Sequence, residues 1–459
     1  MKLGPADLAI DNLGTPRVKS PLSLSQTCGD GLGDFVPDDA RVLFEIETST
    51  VGDRSSDEPL VFEKAGPRAQ LYFDPAQTTA AIVTCGGLSP GLNTVIRSAF
   101  LELHYRYRVA GVLGIRFGFQ GLHPQTPCAP VKLTPEFVDR IHLLGGTVLG
   151  SSRGEVPTDQ MVDSLTRLGV KILLCVGGDG TQRGALAIYE EASRRGVELA
   201  VVGIPKTIDN DVAFIDRTFG YVTALEQATQ AVLSAHVEAN GAPNGISVVK
   251  VMGRDAGFIA AGATLASQEV NFTLVPEVPF PLEGPGGFLE ALEQRIKARA
   301  HAVIVAAEGA GQHLMSATDS RDASGNRKHA DIGPFLCAQI KAHFAQREIP
   351  VNVKYIDPSY LIRSVPANCE DSLLCDVLAR NAVHAGMAGK TGLVVGMAHN
   401  RIVHVPIATI GRHQKRMSTE GDIWCGVMAT TGQPAWEQAT PVCPDDQHGE
   451  VTTRRRDGR

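Results

Sequence analysis

The sequence predicts an α/β protein of doubly wound parallel sheets with helices on both faces. Three observations predict it. Short β-rich apolar runs alternate with helical patterns along most of the chain. Each of these runs ends on a glycine or polar cluster. The length of 459 residues also suits two or three domains of ~150 residues each. Strands alternating with helices imply right-handed βαβ units, and in such sheets ligands bind outside the carboxyl ends of the strands.

The elements follow in order. Residues 1–77 are rich in Gly, Pro, Ser and Asp, as in GDGLGDFVPDD, and hold one period-2 run, Arg41 to Ile46. They read as an N-terminal extension or arm without a core of its own. Thr79 to Cys85 (TAAIVTC) leads into GGLSPGLN and a helical pattern from Thr94. Lys171 to Val176 (KILLCV) leads into GGDGT and a helix through Ala192. Ala200 to Ile204 runs into PKTIDND. Ile246 to Val251 leads into MGRDAG, and Ala302 to Ala307 into EGAG. The closing GEVTTRRRDGR reads as a frayed basic tail.

Composition narrows the function. At 43% hydrophobic and 20% charged residues the chain is ordinary globular protein. A net charge of -7 argues against a nucleic-acid backbone as main partner, and 5% aromatics weaken any base-stacking platform. Nine scattered cysteines without a C-x-x-C pair suggest neither a disulfide framework nor a zinc site, but reduced thiols. No stretch approaches the ~20 apolar residues of a membrane span, and the N-terminus lacks a secretory h-region. The expectation is a cytoplasmic enzyme.

The chemistry gathers in the loops. In Gly86-Gly87-Leu88-Ser89-Pro90-Gly91, glycines let backbone N–H groups approach an anion, and a helix N-terminus follows. Gly177-Gly178-Asp179-Gly180-Thr181 repeats this and adds a carboxylate and a hydroxyl. A glycine after a buried strand is often only a tight turn, but two such clusters at strand ends favour phosphate binding. Neither fits a Walker or dinucleotide fingerprint. In Lys206-Thr207-Ile208-Asp209-Asn210-Asp211, an extended backbone would send both aspartates to one side and Asn210 away. A carboxylate pair beside a lysine suits a general base with a metal-organising acid; the plainer reading is an exposed Asx-rich turn. Positive charge enters through Arg153, Arg254, Lys354 and Arg363. Together these parts spell phosphoryl transfer. Arg97, Arg106, Arg108 and Arg116 could contribute to an anion effector site, but solvated helix faces explain them more simply.

GGLSPGLN, GGDGT, PKTIDND, MGR, AAEGAG and YIDPSYLIRSVPAN, in this order, resemble the 6-phosphofructokinase family over roughly 62–397. With FEKAGPR, the resemblance is to its long ATP-dependent group, which includes plant and trypanosomatid enzymes. It implies two Rossmann-like lobes: a nucleotide lobe of 78–220 plus about 363–410, and a sugar-phosphate lobe of 221–362 plus part of 411–459. It implies transfer from MgATP to the C1 hydroxyl of fructose 6-phosphate, with Mg²⁺ as cofactor and a homodimer or homotetramer as the assembly.

By the same resemblance Asp209 is the base, and Arg254, Thr207 and Lys206 attend the transferring phosphoryl group. Asp179 and Asp211 organise the metal. Gly87, Arg153, Gly178, Asp179, Gly180 and Thr181 meet the nucleotide. Met252, Gly253, Arg254, Glu308, Lys354, Tyr360 and Arg363 form the sugar pocket, with Thr207 and Asp209 at its edge. Lysine at position 206 is usual in pyrophosphate-dependent members, which carry aspartate where this chain has Gly180. Glycine leaves room for a full nucleotide, so ATP is the expected donor and a reversible pyrophosphate enzyme the alternative. GGDGT alone also occurs in NAD and lipid kinases, but YIDPSYLIR and Glu308 count against them. A catalytically dead paralogue would have lost Asp209, Arg254 or Asp179, and all three are present.

Overall fold

A computed structural model describes residues 3–27, 29–47, 59–152, 154, 156–316 and 329–436. Two sheets carry the fold. The chain lays down β1 (Arg41–Leu43), β2 (Val61–Lys64), β3 (Thr79–Thr84), β4 (Gly111–Ile115), β5 (Val131–Lys132), β6 (Val170–Gly177) and β7 (Ala200–Pro205). It then builds β8 (Gly245–Val251), β9 (Phe272–Leu274), β10 (His301–Ala307) and β11 (Asn352–Ile356), and returns with β12 (Leu393–Ala398) and β13 (Arg401–Pro406). The larger sheet runs β1-β2-β13-β12-β7-β6-β3-β4-β5 and the smaller β9-β10-β8-β11.

The five central strands of the larger sheet are parallel, and so is the whole smaller sheet. Parallel strands must be covered on both faces, and alternation along each strand shows how. Ala80, Ile82, Ile172, Leu174, Val202 and Ile204 face helices α1 (Leu92–Leu101) and α8 (Cys369–Met387). Their neighbours Ala81, Val83, Leu173, Cys175 and Val201 face α2 (Thr158–Arg167) and α3 (Asp179–Arg194). In the smaller sheet, Val249, Val251, Val303 and Val305 pack under α4 (Tyr221–Asn240) and α5 (Phe258–Ser267). Ile246, Val248, Ile304 and Ala306 pack over α6 (Phe288–Arg299) and α7 (Ile332–Gln346).

β3 is flanked by β4 on one side and β6 on the other. The chain leaves β3 toward β4 and leaves β6 toward β7, so the crevice between the Gly86 and Gly178 turns is a topological switch point, where open α/β sheets bind ligands.

Several expectations change. The extension does not stand apart from the sheet: β2 pairs antiparallel with β13, and β1 with β2. β1 stops at Leu43 rather than Ile46, and β2 was not expected. Phe62, Leu71 and Phe73 are buried in the main cores, so the extension borrows a core instead of building one. Helix α1 begins at Leu92, two residues before the apolar period, because Gly91 (φ 100°) turns the chain into it. Arg97 spends its guanidinium on the carbonyls of Val138 and Asp139 at 3.2 Å each. The basic tail lies outside the described residues.

The two sheets are joined through helices. Asp371 of α8 accepts hydrogen bonds from the backbone N and Oγ1 of Thr223 on α4, at 2.7 and 2.6 Å. Farther on, Met417, Trp424 and Val427 return to the α5 side of the smaller sheet.

Candidate active site

The loops at the carboxyl ends of β3, β6, β7, β8 and β10 supply the functional side chains. After β3, Gly86 and Gly87 line a cavity of about 510 Å³ with Gly145–Thr147, Ser151 and Arg363. Ser151 Oγ donates to Gly86 O at 2.6 Å, fixing the turn. A Cβ on Gly145 would lie 1.8 Å from the Ser364 carbonyl. Glycine at 145 is what lets that wall sit against the backbone next to Arg363. The Arg363 guanidinium lies 5.0 Å from the Tyr360 ring centroid, while Tyr360 itself is 74% exposed.

After β6, Gly178 caps α3 and Asp179, Gly180 and Thr181 form its first turn, so backbone N–H groups and the positive helix end face the crevice. A Cβ on Gly180 would meet nothing nearer than an Arg183 nitrogen at 3.8 Å. The fold therefore does not require glycine there.

The β7 loop is not extended. Asn210 sits at φ 56°, a left-handed conformation that asparagine tolerates better than most residues. Its buried side chain accepts from Thr218 N at 3.1 Å, and Thr218 Oγ1 donates to Thr207 O at 2.8 Å. Asn210 thus folds the loop into a turn. Thr207 Oγ1 accepts from Asp209 N at 3.0 Å. Buried Lys206 donates from Nζ to Gly87 O at 2.6 Å, bringing the β7 loop to the β3 turn.

From the smaller sheet, Gly253 (φ 130°) leaves no room for a Cβ, which would lie 2.6 Å from Ala256 O. Glu308 N donates to Val251 O at 2.9 Å and Gly309 N to Gly253 O at 3.1 Å. These bonds lash the Met252–Arg254 loop to the Glu308 loop.

Electrostatics join the two sets of loops. Asp209 is pushed well above the carboxylate range by burial first, then by the charges of Asp211 and Glu308, while Lys206 pulls it down. Its Oδ1 is buried without a hydrogen-bond partner. Burial and then the Asp179 charge raise Asp211. Asp179 opens on the crevice, yet the surrounding walls remove enough water to raise it too, against the pull of Arg183. Burial also raises Glu308, opposed chiefly by Arg254 and Lys250. Among the described residues, no group of three or more His, Cys, Asp or Glu side chains forms a ready ion cage. A magnesium ion does not need one, since it commonly binds one or two carboxylates together with substrate phosphates.

This is an anion cradle facing a row of carboxylates whose ionisation the site opposes. The phosphofructokinase family pattern matches residues 79–386. The chain belongs to the phosphofructokinase family. It is 45% identical over 436 residues to the ATP-dependent 6-phosphofructokinase of Borreliella burgdorferi, covering 93% of this chain and 97% of that one. It is 47% identical over 378 residues to ATP-dependent 6-phosphofructokinase 7 of Arabidopsis thaliana, covering 82% and 77%. The Trypanosoma brucei brucei ATP-dependent 6-phosphofructokinase is 47% identical over 376 residues, covering 81% and 77%. The crystal structure of a pyrophosphate-dependent phosphofructokinase from Marinobacter aquaeolei shares the fold, with TM-score 0.64 at 20% identity, covering 82% of this chain and 98% of that one.

Within this phosphofructokinase framework the structure draws together Gly87, Gly178, Asp179, Gly180, Thr181, Lys206, Thr207, Asp209 and Asp211 on one side. Met252, Gly253, Arg254 and Glu308 oppose them. Arg363 lines the cavity, and its charge also reaches Glu308. Lys354 is not brought in: it lies opposite Ser247 in the sheet register, four positions before Val251, and forms an ion pair with Glu238 of α4. Arg153 lies outside the described residues.

Three groups near the site were not expected. Asp255 adds a charge that raises Asp179, Asp209 and Asp211; its place beside Arg254 in MGRDAG was the available signal. Lys250 holds Asp357 at 2.8 Å and Asp331 at 3.1 Å. Lys415, lowered to about 8 by burial against the opposing charges of Asp216 and Asp211, has no local motif to announce it.

Proposed function

We propose that the chain transfers the γ-phosphoryl group of ATP to the C1 hydroxyl of fructose 6-phosphate, giving fructose 1,6-bisphosphate and ADP. The observation that carries this reading is the unpartnered, buried Asp209 Oδ1 at the meeting of the nucleotide-side and sugar-side loops. A raised carboxylate is a stronger base, suited to taking the C1 hydroxyl proton as that oxygen attacks the γ-phosphorus. The bond to the β,γ-bridging oxygen breaks, and ADP leaves with the electron pair.

The first turn of α3 and the Gly86–Gly87 turn cradle the donor phosphates through backbone N–H groups. Lys206 and Arg254 lie on the two sides of the transferring group and neutralise its charge. Thr207 steadies Asp209 through its backbone. Asp179 and Asp211 suit Mg²⁺, which when bound with the nucleotide neutralises phosphate oxygens. Met252, Gly253, Glu308, Tyr360 and Arg363 bound the sugar phosphate. The open space at Gly180 favours a nucleotide over pyrophosphate. The two-lobe division given above, a cytoplasmic location and a homodimer or homotetramer complete the reading.

The test is fructose 6-phosphate phosphorylation with Mg²⁺, run in parallel with ATP and with pyrophosphate. Turnover with ATP alone is expected. Turnover with pyrophosphate would mean that Lys206 rather than Gly180 decides the donor.

A further inference from the structure

A short strap, residues 411–417, comes after β13 and the helical turn Ile407–Ile410, and bonds to the carboxylate loop. One side chain in it touches both halves of the site. Lys415 Nζ donates to the carbonyls of Ile215 and Asp216 at 2.8 Å each. Lys415 N donates to the carbonyl of Asp211 at 3.2 Å. The same ammonium lies 5.2 Å from the ring centroid of Phe258, the first residue of α5 and four residues beyond Arg254. Two residues on, Met417 N donates to Glu277 Oε1 at 3.0 Å, and Glu277 also accepts from Gly257 N at 2.9 and 3.1 Å.

The loop Lys415 grips is hydrogen-bonded to its own lobe as well, while its Ile208 packs into the core beneath α5. Asp216 N donates to Met397 O at 2.8 Å, and Asp216 Oδ2 accepts from Asn400 N at 3.3 Å. An ammonium has three donors and a compact charge, so it can serve two carbonyls and still rest on an aromatic face. A neutral side chain of the same length could fill the space but would make neither Nζ bond, while the backbone bond to Asp211 would remain.

We propose that Lys415 is a positioning residue for Asp211: it fastens the Asp209–Asp211 loop to the start of α5, setting the distance between the metal-organising carboxylate and the lobe that carries Arg254. The proposal rests on the phosphoryl-transfer reading above. It assigns Lys415 no contact with substrate. Its effect falls on how well the site accepts the metal–nucleotide pair, and the sugar phosphate binds as before.

The test is calorimetric titration of ATP into the full chain, with and without Mg²⁺ and without sugar, beside steady-state kinetics. Wild-type turnover with ATP comes first; its absence would sink the functional reading itself, whatever Lys415 does. For Lys415→Met, which loses two charge-assisted hydrogen bonds, the tightening of ATP binding by Mg²⁺ is expected to shrink by at least about tenfold. The Kd for ATP without Mg²⁺ and the KM for fructose 6-phosphate should hold within about twofold, the scatter of a neutral substitution. Lys415→Arg, which can still donate to both carbonyls, should recover most of the Mg²⁺ effect. A purely structural lysine would lower Tm or the active fraction and leave the Mg²⁺ dependence untouched; that result overturns the proposal. Should Lys415→Met fail to fold, Phe258→Leu keeps the apolar core and removes only the ring beneath the ammonium. It should shift the Mg²⁺ dependence in the same direction, and a wild-type value there equally overturns the proposal.

Discussion

The Lys206 ammonium is clasped by the Gly87 carbonyl at 2.6 Å, so the β7 loop and the β3 turn meet across the end of β6. The cation is held from one side by a neutral oxygen, and its charge also reaches Asp209. It is therefore placed before any phosphate arrives, which is what electrostatic preorganisation requires.

Removing that cation should hurt the chemical step more than binding. Lys206→Met is expected to lower kcat by about a hundredfold, the scale of one preorganised charge, with a smaller change in KM for ATP. Steady-state kinetics decide it. A change confined to KM would make Lys206 a ground-state contact only.

Asp209 carries the heavier load. Asp209→Asn keeps the shape and removes the base, so kcat should fall by about a hundred- to ten-thousandfold while ATP still binds. In the wild type the base works only when deprotonated. Because burial and neighbouring carboxylates raise it, kcat/KM should begin to fall above the usual aspartate range as pH is lowered. Near-wild-type turnover of the asparagine variant would remove the assignment.

Gly180→Asp tests donor choice without disturbing the fold, because the new Cβ meets nothing closer than 3.8 Å. The added carboxylate sits beside Asp179 in the first turn of α3 and opposes a nucleotide phosphate. We expect kcat/KM for ATP to fall by at least about tenfold, the cost of one uncompensated like charge. Unchanged ATP kinetics would show that the room at Gly180 is not what selects the donor.

Acid stability should report the buried polar network behind the larger sheet. His384, lowered to about 3 by burial and then by nearby arginines, accepts or donates a 2.9 Å bond with Tyr107 Oη. His404 is lowered by burial too. Burial pushes Glu63 up, but the His404 bond and the His404 and Lys390 charges outweigh it and bring Glu63 to about 2. Since His404 stays largely neutral near pH 7, Lys390 at 2.7 Å is the more dependable partner there. Depressed folded values mean that the unfolded chain binds the proton first. Stability is therefore full above about pH 6.5, declines for the histidines below it, and declines for Glu63 from about 4.5 toward 2. Urea midpoints measured from about pH 8 down to about pH 2.5 should trace this fall, and His384→Gln should flatten its upper part. A curve unchanged by that substitution would take His384 out of the account.

Much of this was legible in the chain itself. Strands buried on both faces read as unbroken apolar runs, and glycine clusters marked their carboxyl ends, so β3, β6, β7, β8 and β10 and their loops were placed within a residue or two. What failed depends on distant partners or on local phase. Lys354 immediately precedes the YIDPSYLIR motif, which suggests a sugar contact, but its register opposite Ser247 leaves it beside Glu238. The turn at Asn210 depends on Thr218, eight residues away. Lys415 meets its carbonyl partners some 200 residues earlier in the chain, and no periodicity encodes such a meeting.

The pairing of β2 with β13 has a kinetic meaning. Glu63 and His404 stand 341 residues apart in sequence and 3.0 Å apart in space. The strand made among the first must wait for one of the last, since loop closure over such a span is entropically costly before its contacts reward it. Until then β13 has no neighbour on that side, and β2 no place in the sheet. We therefore expect this edge of the sheet to be sealed late, with the slowest refolding phase in its recovery.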